Sequence, residues 1–289
     1  MKIKILIPVY NDWQSTFKLI DEINGLSIDP KFQISIIIVN DASNHDRPNN
    51  EKDYENFQSL KIINMKINQG HARCIATGLK YIYQKEEFDY IIPMDGDGED
   101  RPEEIKEFLN KIDESNGRAI IGQRVKRSEG LIFKICYQMH KLITLTFTGK
   151  SIRFGNYTCL PKTIVEKMIN EKATWNSFSG SLTKLEKDLL PIPSSRGPRY
   201  FGPSKMSFYN LIKHSLSIIA VFKINVIVRS VLFCLIYLFL ISENLSYITS
   251  LPLIAVIMLV ISVLGISKRE NLEEYKNSLE NIQNIENIK

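Results

Sequence analysis

The densest chemistry in the chain lies in one stretch, Tyr90-Ile-Ile-Pro-Met-Asp95-Gly-Asp97-Gly-Glu99-Asp100-Arg-Pro102. An apolar run delivers Asp95, Asp97, Glu99 and Asp100 onto a loop, and a proline opens the next helix. Carboxylates this close repel one another, and a bound cation is the natural compensation. Hard oxygen donors with no Cys or His among them suit Mg2+ or Mn2+. A calcium loop of the EF-hand type fits poorly, because Asp100 stands where that loop needs glycine and Lys106 where it needs glutamate. The plainer alternative is a solvated acidic loop.

Such a loop needs a positioning frame, and the pattern of residues 1–122 supplies one. Ile3–Val9, Ile34–Asn40, Lys61–Met65, Tyr90–Met94 and Ala119–Gly122 read as strands. Between them, Ser15–Ile23, Ala72–Tyr83 and Pro102–Ile112 read as helices. Strand–helix alternation implies crossover units and a mostly parallel α/β sheet, in which ligands sit at the carboxyl ends of the strands. Asn11-Asp12, Asn40-Asp41 and Asp95–Asp100 all fall there. Further on, the sequence predicts a helix over Leu131–Phe147, a strand near Ile152–Leu160, a helix over Pro161–Ile169, and a Pro/Gly-rich loop over residues 191–205.

The composition bounds the partners. In 289 residues, 37 Lys and Arg face 32 Asp and Glu, a net charge of +5, with 44% hydrophobic and 24% charged residues. That excludes disordered, collagen-like and coiled-coil classes. From Leu189 to Ser242 there is no acid, yet Arg196, Arg199, Lys205, Lys213, Lys223 and Arg229 are present. A basic stretch of this length calls for an anionic partner. Nucleic acid is a poor candidate, since no stacking aromatics interleave these cations on a strand. The cysteines have no metal-site spacing and read as reduced thiols.

The end of the chain is membrane-like. Ile224–Ser242 carries one charge, Arg229 near its start, where it could snorkel, and Asn244–Ile266 carries none. Each is long enough to cross a hydrocarbon core of about 30 Å as a helix. Lys213, Lys223, Lys268 and Arg269 flank the pair and the connector has no Lys or Arg, so the positive-inside rule puts both ends in the cytosol. Met206–Phe222 has a polar stripe of Ser207, Asn210, His214 and Ser217 opposite an apolar face, as a helix lying in the interface would. The tail, 270–289, reads as a frayed helix without an assigned role. The expected organisation is a catalytic domain over 1–205, an amphipathic helix over 206–223, a two-helix transmembrane hairpin over 224–266 and a cytosolic tail over 267–289.

Five motifs occur in order: Pro8-Val-Tyr-Asn-Asp12, Ile38-Val-Asn-Asp41-Ala-Ser43, Asn68-Gln-Gly-His-Ala72, Asp95-Gly-Asp97-Gly-Glu99-Asp100-Arg-Pro102 and Gly122-Gln-Arg124. Together they resemble family 2 glycosyltransferases of GT-A fold. With Arg199-Tyr-Phe-Gly202-Pro-Ser204-Lys205 added, the chain resembles in particular the dolichyl- and polyprenyl-phosphate sugar synthases with a C-terminal membrane hairpin. The resemblance covers about residues 1–210. It implies that Pro8, Tyr10, Asp12, Asp41 and Asp95 bind a UDP- or GDP-linked sugar. It implies Asp95, Asp97 and Glu99 as contacts of the metal. Asp97, Arg124, Arg199 and Lys205 become the candidate catalytic groups, the last two as diphosphate clamps on a loop able to close. Two of these have plainer alternatives: Asp12 as the cap of the first helix, and Arg124 as a surface ion-pair residue. Asn40 stands where the family commonly has Asp, and Glu99 replaces a usual Gln.

What is missing bears on the acceptor. A hydroxyl nucleophile needs a general base, whereas a phosphate monoester is already an anion at neutral pH. The acids between Gly130 and Leu190 are Glu166, Glu171, Glu186 and Asp188, without the Glu-Asp pair of base-using relatives. Arg124, Arg127 and Lys134 are available for an acceptor phosphate. The expectation is a metal-dependent inverting glycosyltransferase of the cytoplasmic membrane, facing the cytosol and acting on a polyprenyl-phosphate lipid. The rivals are a transferase acting on a hydroxyl of a lipid-linked glycan and a silent nucleotide-sugar-binding membrane module. A homo-oligomer is compatible with either and required by neither.

Overall fold

The computed structural model describes residues 1–48, 52, 54–126, 131–203 and 207–289. The order of elements is β1 (Lys2–Val9), α1 (Trp13–Asn24), β2 (Gln33–Asn40), β3 (Ser59–Met65), α2 (His71–Lys85), β4 (Tyr90–Pro93), α3 (Glu104–Asn110), α4 (Ile112–Ser115), β5 (Ile120–Lys126), α5 (Leu131–Thr148), β6 (Thr158–Pro161), α6 (Lys162–Asn170), α7 (Phe178–Leu185), β7 (Leu190–Ser195), α8 (Phe208–Ala220), α9 (Lys223–Ile241), α10 (Tyr247–Ser267), α11 (Leu272–Lys276) and β8 (Ile282–Asn287). The eight strands form one sheet in the order β7-β5-β6-β4-β1-β2-β3-β8. Strands β4, β1, β2 and β3 run parallel, and β6 and β8 are antiparallel to their neighbours β4 and β3. This is the mostly parallel α/β sheet expected.

The central strands are apolar on both faces because helices cover both. Ile3, Ile5 and Ile7 pack with Leu19, Ile20 and Ile23 of α1, all essentially inaccessible. On the opposite face α2 approaches so closely that a Cβ on Gly78 would stand 2.4 Å from the side chain of Leu6, so only glycine fits. Two long strands therefore end at one edge, at Val9 and Asn40, held in register Val9 to Asn40 and Asn40 to Asn64. That edge carries the loops with the candidate residues.

Two elements depart from the sequence expectation. Residues 190–195 are a strand, β7, parallel to β5. Pro191 and Pro193 alternate, so their missing N–H groups fall on the open edge and Ile192 turns into the core. The tail is structured as well: α11, a 3-10 turn over Ser278–Asn281, then β8 antiparallel to β3. Tyr275 is fully buried and stacks on Trp175 with ring centroids 5.3 Å apart.

The chain forms two compact units. One comprises residues 1–128, 153–205 and 271–289, and the other residues 129–152 and 206–270. The boundaries drawn from sequence differ on two points: residues 129–152 group with the apolar helices, and the tail belongs to the sheet. In the second unit α9 and α10 are both long and apolar enough to cross a membrane. On α9 only Val226 and Ser230 are buried, while Phe239 and, on α10, Ile248 are largely exposed. Arg229 Nη1 donates to the Thr146 carbonyl at 2.9 Å, and Asn225 Nδ2 donates to that of Thr148 at 3.0 Å. Together they satisfy the open carbonyl end of α5.

Candidate active site

The acidic turn follows β4. Its backbone folds back so that the Asp95 amide donates to Asp100 Oδ2 (2.9 Å) and the Glu99 amide to Asp97 Oδ1 (2.9 Å). Gly98 permits the turn with φ +85°, and the ring of Tyr200 lies where its Cβ would be, 2.5 Å away. The turn is thus roofed by residues 196–200. The Gly197 amide donates to the Glu99 carbonyl and the Tyr200 amide to the Asp97 carbonyl.

Each carboxylate meets a different partner. Asp95 Oδ1 accepts from Asn156 Nδ2 (3.0 Å) and lies 3.3 Å from His71 Nε2. Burial alone would raise its pKa, but His71, Asn156, Arg196 and Arg124 together hold it below the usual carboxylate range. Asp97 pairs with Arg199 Nη1 at 2.5 Å, while Arg199 Nη2 holds Asp12 Oδ2 at 2.9 Å. Glu99 pairs with Arg196. Burial, then the charge of Asp95, pushes Asp97 up to about 6 and the buried Asp100 up to about 8. Part of both shifts is the repulsion of neighbouring carboxylates, which a cation bound between them would relieve. Among the described residues no group of three or more His, Cys, Asp or Glu side chains is gathered as a ready metal cage. Two carboxylates remain a fitting donor set for Mg2+ or Mn2+, ions that take one or two carboxylates and complete their shell with substrate phosphate and water. Glu99, the third expected ligand, faces Arg196 instead.

Other predicted residues fall around this turn. Pro8 is buried at the end of β1 and Tyr10 is exposed just beyond it. Asp12 occupies the position before α1 yet does not cap its backbone; it accepts from the Ser15 hydroxyl at 2.7 Å and from Arg199. Asp41, expected to meet the donor base, is buried, and its two oxygens accept from the Gln69 amide (2.9 Å) and the Gly70 amide (2.8 Å). In this structure it braces the loop that starts α2. Arg124 is half-buried, its guanidinium beside Gly155, and its charge draws down both Asp95 and Asp100. That places it at the acidic turn rather than on a surface pair. Arg127 and Lys205 lie outside the described residues, as does the side chain of Lys134. Sequence reasoning missed His71, Asn156 and Tyr200. His71 had a usable signal, since it opens a helix at the carboxyl edge of the sheet; Asn156 and Tyr200 are brought in only by tertiary packing. Tyr200 donates to the Glu22 carboxylate, and the Lys18 ammonium sits 4.5 Å from its ring centroid.

A cavity of about 860 Å3 opens farther along the same edge, lined by Trp13, Asn40, Ser43, Arg47, Asn64 and Glu286 among others. It lies beside the tail strand and not over the acidic turn.

The chain is 26% identical over 225 residues to undecaprenyl-phosphate 4-deoxy-4-formamido-L-arabinose transferases of two Klebsiella pneumoniae strains, a span that takes in 73% of this chain and 64% of theirs. It thus spans less than two thirds of these relatives' length. Among solved structures, glucosyl-3-phosphoglycerate synthase of Mycobacterium tuberculosis, in complex with Mn2+, UDP-glucose and phosphoglyceric acid, superposes with a TM-score of 0.54 at 11% identity, covering 78% of this chain and 79% of that one. S. aureus TarS 1-349 superposes with a TM-score of 0.51 at 13% identity, covering 97% and 90%. At such identities the likeness is one of fold, and it is the GT-A-like fold expected. Residues 4–170, more than half of the sequence, match the family described as glycosyl transferase family 2, and the chain belongs to that family.

Proposed function

We propose that this protein transfers a sugar from a UDP- or GDP-linked donor to a polyprenyl phosphate at the cytoplasmic membrane, with inversion at the anomeric carbon. The observation that carries the reading is the acidic turn after β4, its carboxylates crowded, partly buried and faced by Arg124, Arg196 and Arg199. The matched relatives are named for transfer to undecaprenyl phosphate, and the two apolar helices would keep such a chain beside its lipid.

Asp95 and Asp97 would hold Mg2+ or Mn2+, with Glu99 joining once released by Arg196. When bound, the cation supplies positive charge to the departing diphosphate. Tyr10 and the Pro8–Asp12 segment flank the nucleoside, and Asp41 keeps the start of α2 in place beside it. Arg199 and Arg196 change partners from carboxylate to diphosphate as the donor enters, and by sequence Lys205 joins them on the diphosphate. Arg124, and by sequence Arg127 and Lys134, attract the acceptor phosphate. One phosphate oxygen attacks the anomeric carbon; the bond to the diphosphate breaks, and the nucleoside diphosphate leaves with the electron pair.

No base is needed, and the four acids that could serve are otherwise engaged. Glu171 binds the Ala173 amide and Lys184, Glu186 pairs with Lys167, Asp188 with Arg118, and Glu166 with the Tyr83 hydroxyl. The test is transfer from a panel of labelled UDP- and GDP-sugars to undecaprenyl phosphate, with and without EDTA. Metal-independent transfer, or transfer only to a lipid-linked hydroxyl, overturns the reading.

A further inference from the structure

The proposed reaction makes no use of the tail strand, yet that strand terminates a continuous run of hydrogen bonds. Asn64 Nδ2 donates to Asn284 Oδ1 (2.7 Å) and Glu286 Oε1 (2.6 Å). Asn64 Oδ1 accepts from Asn40 Nδ2 (2.8 Å), and Asn40 Oδ1 accepts from the Ser43 amide (3.0 Å). Ser43 Oγ accepts from the Asn11 amide (2.9 Å). Asn11 in turn clasps the same loop, its Oδ1 accepting from the Asn44 (2.9 Å) and His45 (3.1 Å) amides and its Nδ2 donating to Asn44 Oδ1 (2.7 Å). Five segments are crossed: β8, β3, β2, the loop after β2, and the loop after β1.

We propose that Asn64, Asn40 and Glu286 are positioning residues of the donor site, forming a polarised relay that fixes the Asn11–Asp12 loop from the C-terminal strand. The inference rests on the donor-site reading above. Asn11 has φ +53° and Ala42 φ +55°, left-handed conformations that non-glycine residues hold only when surrounding bonds impose them. The relay supplies those bonds. Asp12, the next residue, is the one that holds Arg199. The relay's direction is set at its outer end, because the Glu286 carboxylate can accept and never donate. Glu286 is itself anchored by Arg47 at 2.6 Å. Every amide along the line must then donate outward and accept inward. This accounts for asparagine at position 40: an aspartate there offers Asn64 no proton.

The relay makes a prediction that ordinary packing does not. In Asn40→Asp, the Asn64 amide can satisfy the new carboxylate only by turning over, which aims its oxygen at Glu286. Glu286→Gln can donate where Glu286 cannot, so it restores the relay with reversed polarity. The full-length protein in nanodiscs is titrated with UDP and GDP plus Mn2+, and amide exchange of the segments containing Asn11 and Asn44 is followed without nucleotide. Asn40→Asp is expected to weaken nucleotide binding about tenfold, the size of one lost buried hydrogen bond, and to speed exchange of both segments. Glu286→Gln alone should weaken binding by less than Asn40→Asp does, and the double variant should return to within about threefold of the parent. Should Asn40→Asp fail to fold, Asn64→Asp tests the same line, since Glu286→Gln rescues it by the same logic. Unchanged exchange and affinity in the aspartate variant, or loss without rescue, overturns the relay. If the parent binds neither nucleotide while the exchange rescue holds, the donor-site reading fails and the relay stands as a structural one.

Discussion

Gly98→Ala is the sharpest probe of the roof over the acidic turn. Two costs add. The backbone sits at φ +85°, and an L-residue in the left-handed region costs roughly 1–2 kcal/mol. The new Cβ also stands 2.5–2.6 Å from three ring atoms of Tyr200. That ring cannot slide away freely: its hydroxyl is tied to Glu22 and Lys18 covers its face at 4.5 Å. Overpacking of this kind costs about 1–3 kcal/mol. The single substitution should therefore destabilise by about 2–5 kcal/mol, or else expel Tyr200 and with it Arg196 and Arg199 from the turn. Tyr200→Ala removes the second cost only. In a double-mutant cycle read by urea unfolding, Gly98→Ala in the Tyr200→Ala background should cost only the backbone part, a coupling of about 1–3 kcal/mol. Additive effects of the two substitutions would show that the ring does not rest on Gly98, and the placement of both arginines over the carboxylates would lose its support.

Three further outcomes follow from the same geometry. Asp97→Asn keeps the Glu99 amide bond but removes a charge from the turn, and should lower metal-dependent sugar transfer by about 10²-fold or more, measured with saturating donor. Glu86 is nearly buried between Lys4 (3.0 Å) and Lys61 (2.5 Å); burial would raise its pKa, but the two lysines outweigh that and lower it from 4.5. The stabilisation it gives is therefore complete above about pH 4.5 and lost as the pH falls through the lowered native value, so unfolding in urea should show an acid-sensitive component that Glu86→Gln lacks. Tyr275→Ala should cost about 3–5 kcal/mol by calorimetry although it lies beyond both apolar helices, because the side chain is fully buried against Trp175.

The parallel core was legible because its signal is local. Apolar runs such as Ile34–Val39 and the helical spacing of Ile75, Leu79 and Ile82 each declare themselves within one element. The acidic turn was legible for the same reason, as four carboxylates sit within one loop. What escaped depends on partners distant in sequence. Ile282–Asn287 has almost no apolar alternation and becomes a strand only because β3 offers it an edge. β7 was hidden by its prolines, whose harmlessness depends on which side of the strand faces β5. The link between Asn40 and Asn64 requires knowing that β2 and β3 pair in that register. The two amides of Gln69 and Gly70 that reach Asp41 were not legible, because they arrive from another loop.

The turn also shows how a folded chain distributes the partners of four neighbouring acids. Asp95 is held below the usual carboxylate range by His71, Asn156 and two more distant arginines, Asp97 and Glu99 each pair with an arginine, and Asp100 is pushed toward its neutral form while accepting the Asp95 amide. The arginines paired with Asp97 and Glu99 lie within four residues on one loop, Arg196 to Arg199. That loop reaches the turn through two backbone bonds and the Tyr200 ring. In the proposed reaction, a displacement of that loop would free Asp97 and Glu99 for an incoming cation and present Arg196 and Arg199 to the anion it accompanies. The same displacement would release Asp12, whose only ionic partner among the described residues is Arg199, and would so tie the loop to the start of α1 through one side chain.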